Sequence, residues 1–316
     1  MVASLAADCL AAGIGVTALR DRRLDHFHLP GCHVVAVDTP EGERRAIECE
    51  AADAAWSVVI APEIGGALAD RVRWVEAAGG RLLSPGSGFV AITGDKRQTS
   101  RGLAAAGVSV PQVQLLELQA DGAADLPVDF PYPAVVKPAD GAGSLGVQRV
   151  WAPQSLFLNV ERAWLIERYH PGTAASVAVL CGPVQTLPLP PFGQRLNATL
   201  EYQGGSRICD AQLVERAQEL AVRAVAALGP TIGYVGVDVV LGVDPAGGGD
   251  RVIEINPRLT TSYIGLRQTT TDNLGAAMLA VAEGRPAALS FHDRPVQFAV
   301  GADFSLEVSW TAPLSH

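Results

Sequence analysis

Short apolar runs and longer amphipathic stretches alternate along the first ninety residues. "HVVAVD" (33–38), "WSVVIAP" (56–62) and "RLLS" (81–84) are compact apolar runs bounded by turn residues, a pattern that predicts buried strands. Between the second and third, "GALADRVRWVEAAGG" repeats its apolar residues at helical spacing and stops on glycines. Strands alternating with helices predict an α/β unit with a parallel sheet. Leu5, Cys9, Leu10 and Ala12 share one helical face, so the chain opens on a helix where such a unit ordinarily opens on a strand.

The pattern changes at Gly94. "GDKRQTSRGLAAAG" reads as a helix stopped by Gly107, and Pro111 marks the entry of the next strand. The acidic stretch "ADGAADLPVDFPYP" reads as a long loop, and "PYPAVVKPADGAGSLGVQRVW" as strand, glycine-rich loop and strand. Further strands are expected at "WLIERY" and "ASVAVLCG", irregular backbone from Pro188 to Gly205, and a strong helix over "DAQLVERAQELAVRAVAALG". "YVGVDVVLGV" and "DRVIEIN" read as paired strands joined by the turn "DPAGGG". The expected organisation is α/β followed by α+β, in three parts: 1–93, 94–163 and 164–316.

A chain of 316 residues with 48% hydrophobic content can bury a substantial core. A net charge of -9 with no basic run excludes nucleic-acid and anionic-membrane partners. The five cysteines are scattered without a CxxC pair, which suits reduced thiols in a cytoplasmic protein and offers no zinc site. His26 and His28 read as loop residues. The N-terminal apolar stretch lacks a basic lead and contains Asp8, unlike a signal peptide, and no segment has the length to span a bilayer. The expected partners are small molecules, with a homodimer left open.

Candidate chemistry concentrates in two places. In "RVIEINPRLTTSYIG" (251–265), Glu254, Asn256 and Arg258 occupy alternate positions of a strand and its exit, so they project to one face and converge on a ligand or form a solvated edge. The chain has 24 basic residues but only two lysines, Lys96 and Lys137. One stands at a helix start and the other at a strand end just before "DGAGSLGV". A lysine is a compact point charge suited to phosphate oxygens, and two of them suit one polyphosphate. Gly141, Gly143 and Gly146 allow backbone N–H groups to approach phosphates, or else form a plain hairpin. If the paired strands fall into register, Asp238 joins Glu254 and Asn256 as three oxygen ligands of two formal charges, a set suited to Mg²⁺ shared with phosphates.

The ordered motifs "DK", "VVKP…G.GS.GV", "IERY..G...SV", "GVD" and "EINPR" resemble the ATP-grasp superfamily of carboxylate–amine ligases across nearly all of the chain. The resemblance implies an ATP-grasp fold preceded by a parallel-sheet pre-grasp domain, and ATP and Mg²⁺ as cofactors, with Mn²⁺ as an alternative. It implies that Lys96 and Lys137 meet nucleotide phosphates, that Gly141, Gly143, Ser144 and Gly146 belong to the covering loop, and that Asp238, Glu254 and Asn256 bind the metal. Glu167, Arg168 and Tyr169 fall on the hinge that presents backbone groups to adenine. The family's ribose-binding Glu, two residues after the hinge glycine, is here Ala174, a departure that touches ribose recognition.

The longer string "EINPRLTTSYIGLR", with "VVIAPE", resembles tyramine–glutamate ligases of methanofuran synthesis, as does "SLAADCLAAG…V…DRRLD" over their first helix and following strand. That resemblance implies a methanofuran or methylofuran ligase, with tyramine or tyrosine as the amine. The implied reaction makes an acylphosphate of glutamate, which the amine then opens. Lys137 and Arg258 are the catalytic candidates, Arg258 either holding the oxyanion or forming a structural ion pair. Thr260, Thr261 and Ser262 either bind glutamate oxygens or cap the next helix. Tyr263 reads as a core aromatic, and Glu63 as a loop group near the amine or a surface carboxylate. Two other readings are a D-alanine–D-alanine-type ligase and a regulatory nucleotide binder without turnover.

Overall fold

A computed structural model describes residues 1–141, 143–301 and 306–310. The N-terminal unit comprises α1 (Val2–Ala11), β1 (Thr17–Asp21), β2 (His33–Val37), α2 (Pro40–Asp53), α3 (Ala67–Ala77) and α4 (Ser87–Thr93). β1 and β2 pair in parallel, Thr17 opposite His33. α2 starts where Thr39 accepts a hydrogen bond from the Gly42 N–H and Pro40 fills the first turn. The runs at 56–62 and 81–84 continue the parallel arrangement by a single bridge, Ser57 to Leu82, instead of forming full strands. Their apolar side chains still build the core, where Val59 and Ala61 pack with Leu68, Val72 and Val75.

The second unit carries α5 (Lys96–Ala105), β3 (Val113–Leu115), β4 (Ala123–Asp125), β5 (Ala134–Pro138), β6 (Gln148–Val150), β7 (Ser155–Phe157) and β8 (Trp164–Arg168). Four of these strands form an antiparallel sheet in the order β3-β8-β5-β6. The stretch expected as a long loop holds β4, paired with β7. The reason is packing: Ala124, Leu126 and Phe130 are buried in one cluster with Val136, Val150 and Ile166 of the sheet. Asp95 caps α5, its carboxylate accepting from the Arg97 and Gln98 N–H groups, which fixes Lys96 at the first position of the helix.

The third unit comprises β9 (Thr173–Cys181), β10 (Thr186–Pro188), β11 (Phe192–Leu196), β12 (Tyr202–Arg207), α6 (Ala211–Ala227), β13 (Gly233–Leu241), β14 (Arg251–Asn256), α7 (Ser262–Thr269), α8 (Leu274–Ala282), β15 (Val296–Val300) and β16 (Leu306–Trp310). Its sheet runs β14-β13-β9-β11-β12-β15-β16, with β10 beside β9, and every pairing in it is antiparallel. The region from Pro188 to Gly205 is therefore not irregular but includes the β11–β12 hairpin. Its glycines mark close approach rather than disorder. Gly204 has φ +129°, and a Cβ there would lie 2.1 Å from the Phe298 carbonyl oxygen on β15.

Two cores sandwich this sheet. On one face α6 places Ala217, Leu220 and Ala221 against Val177, Val237 and Val239. On the other, α7 and α8 pack with Phe192, Tyr234 and Phe298, and Leu5 of α1 joins them. α1 is tied there by Asp8, which accepts hydrogen bonds from Tyr263 Oη at 2.6 Å and Arg267 Nη2 at 2.7 Å. Tyr263 is a core aromatic, 1% exposed. Among the described residues no helix is long and apolar enough to cross a membrane.

Candidate active site

The small sheet and the large sheet face one another across a cavity of about 280 Å³. Its floor is the β13–β14 pair, where Asp238 stands opposite Glu254 and Gly236 opposite Asn256. Asn256 Nδ2 donates to Asp238 Oδ2 at 3.1 Å. Asp238 is further hydrogen-bonded by Ser176, its register partner on β9, and by Gln194 of β11. Burial first, and the neighbouring Glu254 second, push the Asp238 carboxyl up to about 6 against the pull of those three hydrogen bonds. Two carboxylates and an amide thus share one spot, and among the described residues no group of three or more His, Cys, Asp and Glu is placed to hold a metal ion.

Both lysines reach this cavity. Lys96 Nζ lies 2.9 Å from Glu254 Oε1 and donates to the Gly141 carbonyl at 3.0 Å. Lys137, on β5, sits 2.7 Å from Glu167 Oε2 on the neighbouring strand β8. Gly141, Gly143, Ser144 and Leu145 line the cavity mouth. Ser144 adopts φ 60°, the left-handed region, and a Cβ on nearby Gly146 would come 3.2 Å from the Trp164 ring. Gly146, at φ +76° and against that ring, is thus the position of the turn that favours glycine, while Ser144 takes its left-handed conformation without one.

Glu167, Arg168 and Tyr169 form the wall where the two sheets meet. The N–H groups of Arg168 and Tyr169 already donate to the carbonyls of Gln112 and Pro133, at 2.9 and 3.0 Å. The Tyr169 ring carries the Arg149 guanidinium 4.7 Å from its centroid. Ala174 lines the cavity where the resemblance had a carboxylate. Burial, then the nearby Arg251 and Arg168, lower the pKa of His170 beside it.

The other end of the cavity is closed by Arg258. Its Nε and Nη2 each bond Glu63 at 3.0 Å, and Nη1 donates to the Leu259 carbonyl at 3.2 Å. Glu63, 7% exposed, is no surface carboxylate. Burial raises its pKa while Arg258 opposes the rise. Thr260, Thr261 and Ser262 do not cap α7 through their side chains. Instead Tyr234 Oη, Thr260 Oγ1 and Ser262 Oγ form a closed hydroxyl trio at 2.7–3.1 Å, and Thr261 Oγ1 donates to Tyr202 Oη at 3.1 Å.

Residues 93–262, more than half of the chain, match the ATP-grasp domain family, and residues 14–92 match the pre ATP-grasp 3 domain. The chain belongs to the ATP-grasp superfamily. Its fold is the ATP-grasp fold with a pre-grasp domain, as the motifs had implied. No curated protein matches the sequence. Among solved structures, an ATP-grasp superfamily protein from Archaeoglobus fulgidus is 22% identical, covering 98% of this chain and 92% of its own, with a TM-score of 0.72. An L-amino acid ligase from Bacillus licheniformis is 17% identical over 94% of this chain and 77% of its own, TM-score 0.72. A biotin carboxylase from Campylobacter jejuni is 15% identical over 94% and 73%, TM-score 0.74. At these identities the likeness is one of fold.

The sequence left Ser176, Gln194, Tyr202 and Tyr234 unassigned. Ser176 lay within the quoted "SV" motif and Tyr234 two residues before "GVD", while Gln194 and Tyr202 fell in the stretch read as irregular.

Proposed function

We propose that this ATP-grasp protein is an ATP-dependent ligase that joins a carboxylate to an amine. The observation that carries the reading is the meeting of Lys96, Lys137, Asp238, Glu254 and Asn256 around one cavity with Arg258 at its end. The donor set fits Mg²⁺, and Mn²⁺ equally: the ligands are hard oxygens, and burial first, with the facing Glu254 second, pushes Asp238 up to about 6, a cost of holding the two carboxylates together that a cation relieves. Bound there, the metal supplies charge neutralisation to the nucleotide phosphates.

The chain's own residues then do the positioning. Lys96 and Lys137 face phosphate oxygens in exchange for Glu254 and Glu167, and the 141–146 loop covers them. A substrate carboxylate oxygen attacks the γ-phosphorus, ADP leaves, and the amine nitrogen attacks the acylphosphate carbonyl as phosphate departs. Arg258 holds the oxyanion of that second step, and Glu63 orients its fork. No protein nucleophile is used. The Thr260, Thr261 and Ser262 hydroxyls turn from their Tyr234 and Tyr202 partners to hold the carboxylate-bearing substrate.

The substrate reading goes further: glutamate as the acid and tyramine or tyrosine as the aromatic amine, in methanofuran or methylofuran synthesis. Its support is the resemblance in "EINPRLTTSYIGLR", whose threonines and serine border the cavity beside Arg258. The test is ADP release with ATP, Mg²⁺ and glutamate, comparing tyramine, tyrosine and D-alanine, with the product identified by mass. Amine-dependent ADP and an amide of tyramine or tyrosine support it. Turnover with D-alanine alone overturns the substrate reading and keeps the ligase. ATP binding without ADP release under any pairing overturns the ligase.

A further inference from the structure

A second recess lies outside the active-site cavity, against α6 and the end of β12, with a volume of about 700 Å³. Pro188, Ile208, Val214 and Val222 give it an apolar wall, and Arg207 lines it. The Arg207 side chain is only 8% exposed. Its Nε and Nη1 are buried without a hydrogen-bond partner among the described residues. The carboxylate nearest its remaining nitrogen, Asp293 Oδ1, is 3.6 Å from Nη2, beyond hydrogen-bond length, and belongs to a fully exposed side chain. By contrast Arg216, Arg258 and Arg267 each fork onto a carboxylate.

A guanidinium withdrawn from water without an acceptor is unfavourable, and a recess beside it offers room for a ligand to bring one. The rim narrows the chemistry. Glu215, Glu219 and Asp293 outnumber Arg207 and Arg223 there, which disfavours a phosphate dianion and favours a carboxylate that carries its own cation. We propose that this recess binds a small zwitterion of the α-amino-acid class. Its carboxylate sits on Arg207 Nη2, its ammonium on Glu215 or Glu219, and an aliphatic body lies against Pro188 and Val222. The inference does not rest on the proposed reaction.

The test is calorimetric titration of the full chain with L-leucine, L-norvaline and L-glutamate. Isovalerate serves as the half-ligand without an ammonium, and isoamylamine as the one without a carboxylate. At least one amino acid binds saturably, and both half-ligands bind about tenfold or more weaker. Arg207→Met weakens the amino acid about tenfold or more and melts no lower than wild type, because the orphaned guanidinium is gone. Arg258→Met, in the active-site cavity, leaves this binding intact. The Glu215→Gln, Glu219→Gln double variant loses preference for leucine over isovalerate. Binding that survives in Arg207→Met, or vanishes in Arg258→Met, places the amino acid in the active-site cavity and overturns the proposal. So does a lowered melting temperature of Arg207→Met, which makes the guanidinium structural, or the absence of saturable binding by every amino acid.

Discussion

Asp238 gives the sharpest physical prediction. Burial and the facing Glu254 lift its carboxyl from 3.8 to about 6, a difference worth about 3 kcal/mol at roughly 1.4 kcal/mol per pH unit. Its folded pKa lies above its unfolded one. The stability that it contributes is therefore fully present below about pH 4 and is lost as pH rises through about 6. Asp238→Asn keeps the shape and cannot titrate. In nucleotide-free, metal-free protein, the stability of wild type minus that of the variant should fall by up to about 3 kcal/mol between about pH 4 and pH 7, then stay level. Urea unfolding of both proteins across that range measures the difference directly. Glu254→Gln in a wild-type Asp238 background should shrink the drop by removing its second cause. A difference that is flat with pH, or one that grows as pH rises, refutes the reasoning.

Lys137→Ala removes a cation that faces the cavity from the small sheet, and kcat/KM for ATP in the ADP-release assay should fall by about 100-fold or more. Near-normal turnover would contradict its phosphate role. Asp8→Ala strips the acceptor from buried Tyr263 and from Arg267, and urea unfolding should show a loss of about 3 kcal/mol with ATP affinity unchanged. Gly204→Ala places a Cβ 2.1 Å from the Phe298 carbonyl in a left-handed backbone, so β15 must shift. The same unfolding measurement should show a cost of about 2 kcal/mol or more.

What the sequence made legible was local. Period-two alternation around Glu254 and Asn256, a helix start at Lys96 and a strand end before a glycine loop are all readable within a few residues. The site's support is not. Ser176 and Gln194 act by holding Asp238 from other strands, and although Ser176 lies in the "SV" motif, neither local sequence points to Asp238. Glu63 and Arg258 are 195 positions apart, so only the folded chain turns a loop carboxylate into the partner of that fork. The β11–β12 hairpin was hidden for a different reason. Strands that must let β15 approach carry glycine where period-two reading looks for β-branched residues, so close packing looked like looseness.

The division of labour between the two kinds of cation has a physical logic. Arginine is used where a side chain must be fixed: Arg258 on Glu63, Arg216 on Asp250 and Arg267 on Asp8 are all forked, and Arg216 and Arg267 have their pKa raised first of all by the hydrogen bond to that carboxylate. Such a fork resists transfer to a new anion, because two aligned bonds must break together, so in the proposed reaction Arg258 meets the oxyanion with its Glu63 pair intact, through the Nη1 that the fork leaves to the Leu259 carbonyl. Lysine stands at only two places, and at each it touches a carboxylate that borders the cavity: Glu254 at 2.9 Å and Glu167 at 2.7 Å. An ammonium has no preferred plane, so it can turn from a carboxylate to a phosphate without losing alignment. The resting pairs keep both lysines and their carboxylates neutralised, which offsets the cost of holding isolated charges in a partly buried cavity. In the proposed reaction an arriving polyphosphate would release Glu254 at the same moment, freeing it to serve beside Asp238 and Asn256. In a chain that meets every other need for positive charge with arginine, lysine is kept for the two positions where the proposed reaction requires charge to change hands.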